Sequence, residues 1–201
     1  MNEAERKDET PKKDMKDVFA AVENLKCAIQ RSQTFVEEFL SEPMCGKCHP
    51  CALGSYEALV RLKKIAAGVG SRADVDAIAR IADQMLEGSR CKKGKDTAKF
   101  IIEALHTDTF SEHLEGRCRD RECPSYLIYR VIPDKCVMCG LCQEACRYNA
   151  ILGEKKTSYR SGYRPFEIRQ KRCVKCGECV AACPYGAIEI IDLKVRDEVK
   201  V

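Results

Sequence analysis

Apolar residues recur every three or four positions through the first half of the chain and abandon that period in the second half. From Met15 the set Val18, Phe19, Val22, Leu25, Ile29, Phe35, Val36, Phe39 and Leu40 keeps helical spacing apart from one wider gap. That predicts one amphipathic helix or two, with Cys27 inside the stripe and Pro43 ending it. Thr10-Pro11 offers a cap and a first-turn proline ahead of it. Tyr56, Leu59, Val60, Leu62 and Ile65 predict a second helix, closed by Gly68 and Gly70. Ser71 and Asp74 have capping-box spacing before a third, through Val75, Ile78, Ile81, Met85 and Leu86, which stops at Gly88. Asp96 is expected to cap a fourth helix carrying Phe100, Ile101 and Leu105, and a short helical turn through Leu114 ends at Gly116. Such stripes are core, so residues 14–116 are expected to form a small helical bundle. Residues 1–13, nearly all charged or polar, are expected to be a mobile tail.

From Cys118 onward the pattern changes to short strands, turns and dense cysteines. CVMCGLCQEAC (Cys136 to Cys146) and CVKCGECVAACP (Cys173 to Pro184) are one motif written twice, each followed by an aromatic residue and then Ala-Ile. This internal repeat defines a second domain over 126–201, with 117–125 as a joint, and the fold class expected is α+β.

Composition changes this picture at one point: fifteen of the 201 residues are cysteine. An odd total clustered at CxxC intervals argues for metal binding in a reducing compartment rather than a disulfide framework. The N-terminus has no apolar core of signal-peptide type and no run approaches membrane-spanning length, so a soluble cytoplasmic protein without membrane insertion is expected. The formal charge of +4 could suggest nucleic acid. However, each [4Fe-4S] core held by four thiolates carries roughly two negative charges when oxidised, so several clusters reverse the sign.

The repeat resembles the two-cluster bacterial ferredoxins, and that resemblance implies a split βαβ domain with two [4Fe-4S] clusters. In those proteins the fourth cysteine of each run ligates the other cluster. Carried over, one cluster takes Cys136, Cys139, Cys142 and Cys183, and the other Cys173, Cys176, Cys179 and Cys146. Pro184 matches the usual Cys-Pro ending, while Cys146 is followed by Arg147. Zinc ribbons use two ligand pairs and have no use for this repeated run. A radical S-adenosylmethionine enzyme is disfavoured as well, because its CxxxCxxC motif leaves one iron free of protein ligands.

CGKCHPC (Cys45 to Cys51) places three more thiols at two-residue gaps, and Cys91, followed by Lys-Lys-Gly, is the next cysteine downstream. With the preceding FVEEFLSEPM and the helices after it, this segment resembles the C-terminal four-helix domain of the NADH-binding, FMN-containing subunit of complex I. The same domain occurs in bifurcating hydrogenases and NAD-dependent formate dehydrogenases. The resemblance, over about 18–114, implies a further [4Fe-4S] cluster on Cys45, Cys48, Cys51 and Cys91. Met44 replaces the usual serine and Ala52 the usual arginine beside the motif. His49 is assigned a surface or supporting role, and His106 solvent. No glycine-rich nucleotide loop occurs in the 201 residues, so NADH oxidation by this chain alone is not expected.

Cys27, Cys118 and Cys123 remain. HLEGRCRDREC spaces His113, Cys118 and Cys123 at five-residue intervals, and together with Cys27 they make a Cys₃His set suited to zinc. Flavin subunits of bifurcating hydrogenases look similar in carrying a zinc site at such a joint. Free thiols, an intersubunit site and a [2Fe-2S] cluster are the alternatives. The basic insert between the repeats carries Tyr159, Tyr163 and Phe166, and is read as a shield or an acidic-partner dock rather than a base-stacking surface.

The function expected is an iron-sulfur electron-transfer subunit of a multisubunit cytoplasmic oxidoreductase. It would relay electrons between a flavin/NAD(P)-binding subunit and a hydrogenase, formate dehydrogenase or ferredoxin-linked partner, with no substrate-transforming site of its own. The competing classes are a stand-alone polyferredoxin-type carrier and a cluster-stabilised nucleic-acid-binding protein.

Overall fold

The computed structural model describes residues 13–157, 162 and 164–193. The Thr10-Pro11 cap, residues 1–12 of the expected tail, and Tyr159 and Tyr163 of the insert lie outside the described residues. Lys13, the last residue of that expected tail, bonds Glu42 Oε2 through its backbone N–H at 2.9 Å and Glu38 through its ammonium at 2.8 Å. The chain divides into two compact units, 1–114 and 115–201.

The first unit is helical: α1 (Met15–Val22), α2 (Ala28–Ser41), α3 (His49–Ala66), α4 (Arg72–Gly88), α5 (Lys92–Leu105) and α6 (Thr109–Leu114). The first apolar stripe is thus two helices, parted just before Cys27. Val18, Val22, Phe35, Val36 and Phe39 bury the inner faces of α1 and α2, while Leu62, Ile65, Ile78, Met85 and Ile101 fill the space among α3, α4 and α5. Phe35 stacks on Phe100 with ring centroids 4.0 Å apart, and the Arg31 guanidinium lies 5.6 Å from the Phe100 centroid.

Helix ends follow the sequence signals where local chemistry suffices. Gly68, at φ 78°, ends α3 in a Schellman motif: the Val69 N–H donates to Lys64 C=O and the Gly68 N–H to Ile65 C=O, each at 3.0 Å. Ser71 opens α4, and the Asp74 carboxylate accepts from the Ser71 N–H at 3.0 Å and its hydroxyl at 2.7 Å. Those bonds hold the Asp74 carboxyl below the usual range, so it stays ionised to meet Arg61 of α3 at 3.0 Å.

The fourth predicted helix starts elsewhere than expected. Cys91, in extended backbone, is the N-cap of α5, and Asp96 lies inside the helix. Lys92, Lys93 and Lys95 stand at the positive end of the helix dipole, which locally disfavours a start there. The tertiary placement of Cys91 overrides that preference.

The second unit follows the order β1 (Leu127–Val131), α7 (Leu141–Glu144), β2 (Ile151–Leu152), β3 (Glu167–Ile168), α8 (Glu178–Ala181) and β4 (Ile188–Asp192). The outer strands pair antiparallel, with Tyr129 opposite Ile190 and Arg130 opposite Glu189; the inner strands pair separately, with Ile151 opposite Ile168. The unit is therefore α+β with two small two-stranded sheets. Leu127, Tyr129, Val131, Phe166 and Ile188 form its core together with Cys142 and Cys179.

Candidate metal centres

The repeat is visible in the backbone before any side chain is considered. Met138 and Lys175, the third residues of the two CVxC runs, both adopt left-handed backbone, at φ 58° and 62°. Gly140 and Gly177 follow at 86° and 84° and cap α7 and α8. Left-handed residues fold each run back on itself, so its first three cysteines surround one opening. Non-glycine residues tolerate this conformation only at a cost, which marks the two loops as fixed by their surroundings.

Two open-sided cavities result, one beside each run. Cys136, Cys139 and Cys142 line one, where they are joined by Cys183 from the other run. Cys173, Cys176 and Cys179 line the other, joined by Cys146. The fourth cysteines have thus crossed over. Each of them accepts a backbone N–H at 3.4 Å, Cys146 Sγ from Ala150 and Cys183 Sγ from Ala187.

The thiols themselves argue for a cationic occupant. Burial pushes Cys179 up to about 11, with Cys173, Cys176 and then Cys142 of the other site adding to the rise. Cys142 is raised by burial and by Cys136, Cys139 and Cys183. Cys142 and Cys179 thus resist ionisation unless a metal core compensates, and four cysteines lining each cavity fit an iron-sulfur cluster. Cys179 feels the charge of Cys142 and both lie in one core, so the two sites are electrostatic neighbours.

The bundle presents another such set. Cys48 is the N-cap of α3, and Cys51 sits in its first turn beside Pro50. Cys51 is raised to about 11 by burial first, then by Cys48, Cys91 and Cys45, so those three thiols lie within electrostatic reach of it. Cys48 is lowered, chiefly by the Arg90 backbone N–H. Cys45 and Cys91 are exposed while Cys48 and Cys51 are buried, so one side of the site reaches the surface. The Met44 thioether, where a serine is usual, accepts the Gly46 N–H at 3.0 Å and so braces the turn before Cys48.

Residues that motif reading missed complete this site. A β-carbon at Gly94 of α5 would stand 2.8 Å from Ser89 Oγ and 3.1 Å from Cys51 Sγ, so only glycine lets α5 come this close. Ser55 and Ser89 are buried, and their hydroxyls have no hydrogen-bond partner. A single sequence gives no signal for the serines; the Gly in Cys-Lys-Lys-Gly was the available hint for the close approach.

The remaining set is different in kind. The ligand atoms of Cys27, His113, Cys118 and Cys123 all lie within 4.8 Å of one another, and all four residues are buried. Thiolates bound to one tetrahedral zinc at about 2.3 Å stand about 3.8 Å apart, so a single ion suits this spacing. His113 Nδ1 donates to Thr109 C=O at 2.7 Å, which leaves Nε2 to face Cys27 Sγ at 3.5 Å. That bond fixes the tautomer a metal-binding imidazole needs. His49, at the start of α3, is mostly exposed, in keeping with its assignment away from the ligand sets; His106 is exposed at the C-cap of α5. Among the described residues no helix is long and apolar enough to cross a membrane.

Comparison with known proteins agrees with this division. The profile of the NADH-ubiquinone oxidoreductase-F iron-sulfur binding region matches residues 31–117, and that of the 4Fe-4S dicluster domain matches 135–187. Relatives include the NADP-reducing hydrogenase subunit HndC of Solidesulfovibrio fructosivorans, 32% identical over 135 residues, 65% of this chain and 27% of that protein. The F subunit of NADH-quinone oxidoreductase from Streptomyces coelicolor is 35% identical over 91 residues, 44% of this chain and 20% of its own length. The beta subunit of the NADP(+)-dependent formate dehydrogenase from Moorella thermoacetica is 40% identical over 79 residues, 38% of this chain and 10% of its own. The chain therefore spans 27% or less of the length of these relatives. It carries, in order, an iron-sulfur binding domain of the NADH-ubiquinone oxidoreductase F type and a 4Fe-4S dicluster domain.

Proposed function

We propose that the chain is the iron-sulfur relay of a multisubunit cytoplasmic oxidoreductase, holding three [4Fe-4S] clusters and one structural zinc. The bundle cluster is held by Cys45, Cys48, Cys51 and Cys91. The split βαβ, ferredoxin-like second domain holds one cluster on Cys136, Cys139, Cys142 and Cys183, and another on Cys173, Cys176, Cys179 and Cys146. Zinc takes Cys27, His113, Cys118 and Cys123. The crossing of Cys146 and Cys183 into each other's cavities carries this reading, because that exchange suits closed cubane sites and serves no pair of independent zinc ions.

When bound, such clusters supply one-electron acceptance and donation. The protein's part is to hold the sulfurs, to aim backbone N–H groups at Cys48, Cys146 and Cys183, and to keep Cys51, Cys142 and Cys179 away from water. With four cysteines facing each site, no iron is left open for substrate, so the chain transforms none itself. The partners proposed are a flavin/NAD(P)-binding subunit on one side and a hydrogenase or formate dehydrogenase type subunit on the other; the relatives' own names support the pyridine-nucleotide, hydrogenase and formate dehydrogenase parts of this reading.

The test is anaerobic purification with native partners, followed by metal analysis and reductive EPR. About twelve irons and one zinc per chain are expected from the ligand sets, with stable co-purification of a flavoprotein. A chain that shuttles electrons with no stable partner would instead support the stand-alone carrier.

A further inference from the structure

We propose that Ser55 and Ser89 donate hydrogen bonds into the sulfur shell of the bundle cluster and hold its reduction potential above that of the same site lined by apolar groups. The inference rests on the assignment of one [4Fe-4S] cluster to Cys45, Cys48, Cys51 and Cys91.

Ser55 lies one helical turn after Cys51 on the same face of α3 and is fully buried. A serine or threonine inside a helix ordinarily returns its hydroxyl to the carbonyl four residues back. Thr97 of α5 does so, donating to Lys93 C=O at 3.0 Å. Ser55 does not; its hydroxyl is buried one turn from Cys51 and has no hydrogen-bond partner.

Ser89 stands two residues before Cys91, is 3% exposed, and likewise has a hydroxyl without a hydrogen-bond partner. Ser89 Oγ and Cys51 Sγ crowd the same notch in α5, the one kept open by Gly94. Two buried hydroxyls left unpaired beside the thiols that would hold the cluster have the cluster's sulfurs as their available acceptors. A donor aimed at cluster sulfur stabilises the more negative, reduced state and so raises the potential. Backbone amides already serve Cys48, where the Arg90 N–H points, so the serines supply Cys51 with what the backbone supplies its neighbour.

The test is an EPR-monitored redox titration of the anaerobically purified full chain and of Ser55→Ala, Ser89→Ala and the double variant. The bundle-cluster midpoint is expected to move negative, further in the double variant, with iron content unchanged. The two dicluster midpoints stay in place as internal references. Ser55→Thr, which keeps the hydroxyl, is expected to restore most of the shift. An unmoved midpoint in a fully loaded double variant overturns the proposal while leaving the cluster assignment intact. Wild-type protein without a bundle-cluster signal, at about eight irons per chain, overturns both. Should an alanine variant fail to load, ENDOR of the reduced wild-type cluster after transfer to D2O decides. Exchangeable couplings beyond those of the Arg90 and Cys51 amides support the proposal, and couplings from the amides alone refute it.

Discussion

Gly94→Ala is the smallest change that should unseat the bundle cluster. The added methyl meets Ser89 Oγ at 2.8 Å, Ser89 Cβ at 2.9 Å and Cys51 Sγ at 3.1 Å. The hydroxyl can rotate away, but Ser89 Cβ is fixed to the backbone beside Arg90 and Cys51 is held in the first turn of α3. Overpacking of this kind costs about 1–3 kcal/mol, and the gain in helix propensity from Gly to Ala returns about 1 kcal/mol. The clash is against fixed atoms, so the cost falls in the upper part of that range, about 2–3 kcal/mol, and the net is a loss of about 1–2 kcal/mol. In a domain of this size that corresponds to a fall of about 4–16 °C in the apparent melting temperature. It should appear first as iron loss. Chelator challenge followed by iron analysis is expected to show the variant falling from about twelve irons toward about eight, with the dicluster EPR signals retained. A variant that keeps all its iron and melts at or above the wild-type temperature would mean that α5 does not press on Cys51, and the reading of this site would fail with it.

Other outcomes follow from the same geometry. Cys183→Ser should weaken the cluster on Cys136, Cys139 and Cys142 rather than that of its own run, and Cys146→Ser the reverse; EPR of each variant reads which signal is altered. Ser71→Ala removes the hydroxyl that bonds Asp74 at 2.7 Å, and an anaerobic thermal melt should show a loss of about 1 kcal/mol with iron content unchanged. His113→Ala removes the imidazole facing Cys27, and zinc is expected to fall to a small fraction of one per chain while iron stays near twelve, read by elemental analysis.

Much of the bundle was legible because its determinants are local. Gly68 and the Ser71–Asp74 box mark helix ends through bonds spanning a few residues, and the apolar period marks the buried faces. The start of α5 was not legible: three lysines oppose a helix start at Lys92, and only the need to bring Cys91 back to Cys51 sets it there. The repeat was read directly from CVMC and CVKC, yet its strands form two separate small sheets, since a two-residue strand leaves no periodicity to follow. The grouping of Cys27 with His113 needed arithmetic on leftover residues, because a ligand 86 positions away carries no local pattern. Ser55 and Ser89 were invisible for a plainer reason, as a buried serine looks like any other until its neighbours are known.

Anomalous diffraction from anaerobically grown crystals, collected at the iron and zinc edges, tests the central claim most directly. The account predicts three compact iron clusters, each ringed by the four cysteines assigned to it, and one zinc enclosed by Cys27, His113, Cys118 and Cys123. Isolated single ions in the two repeated motifs, or Cys91 standing apart from the Cys45–Cys51 loop, would contradict it.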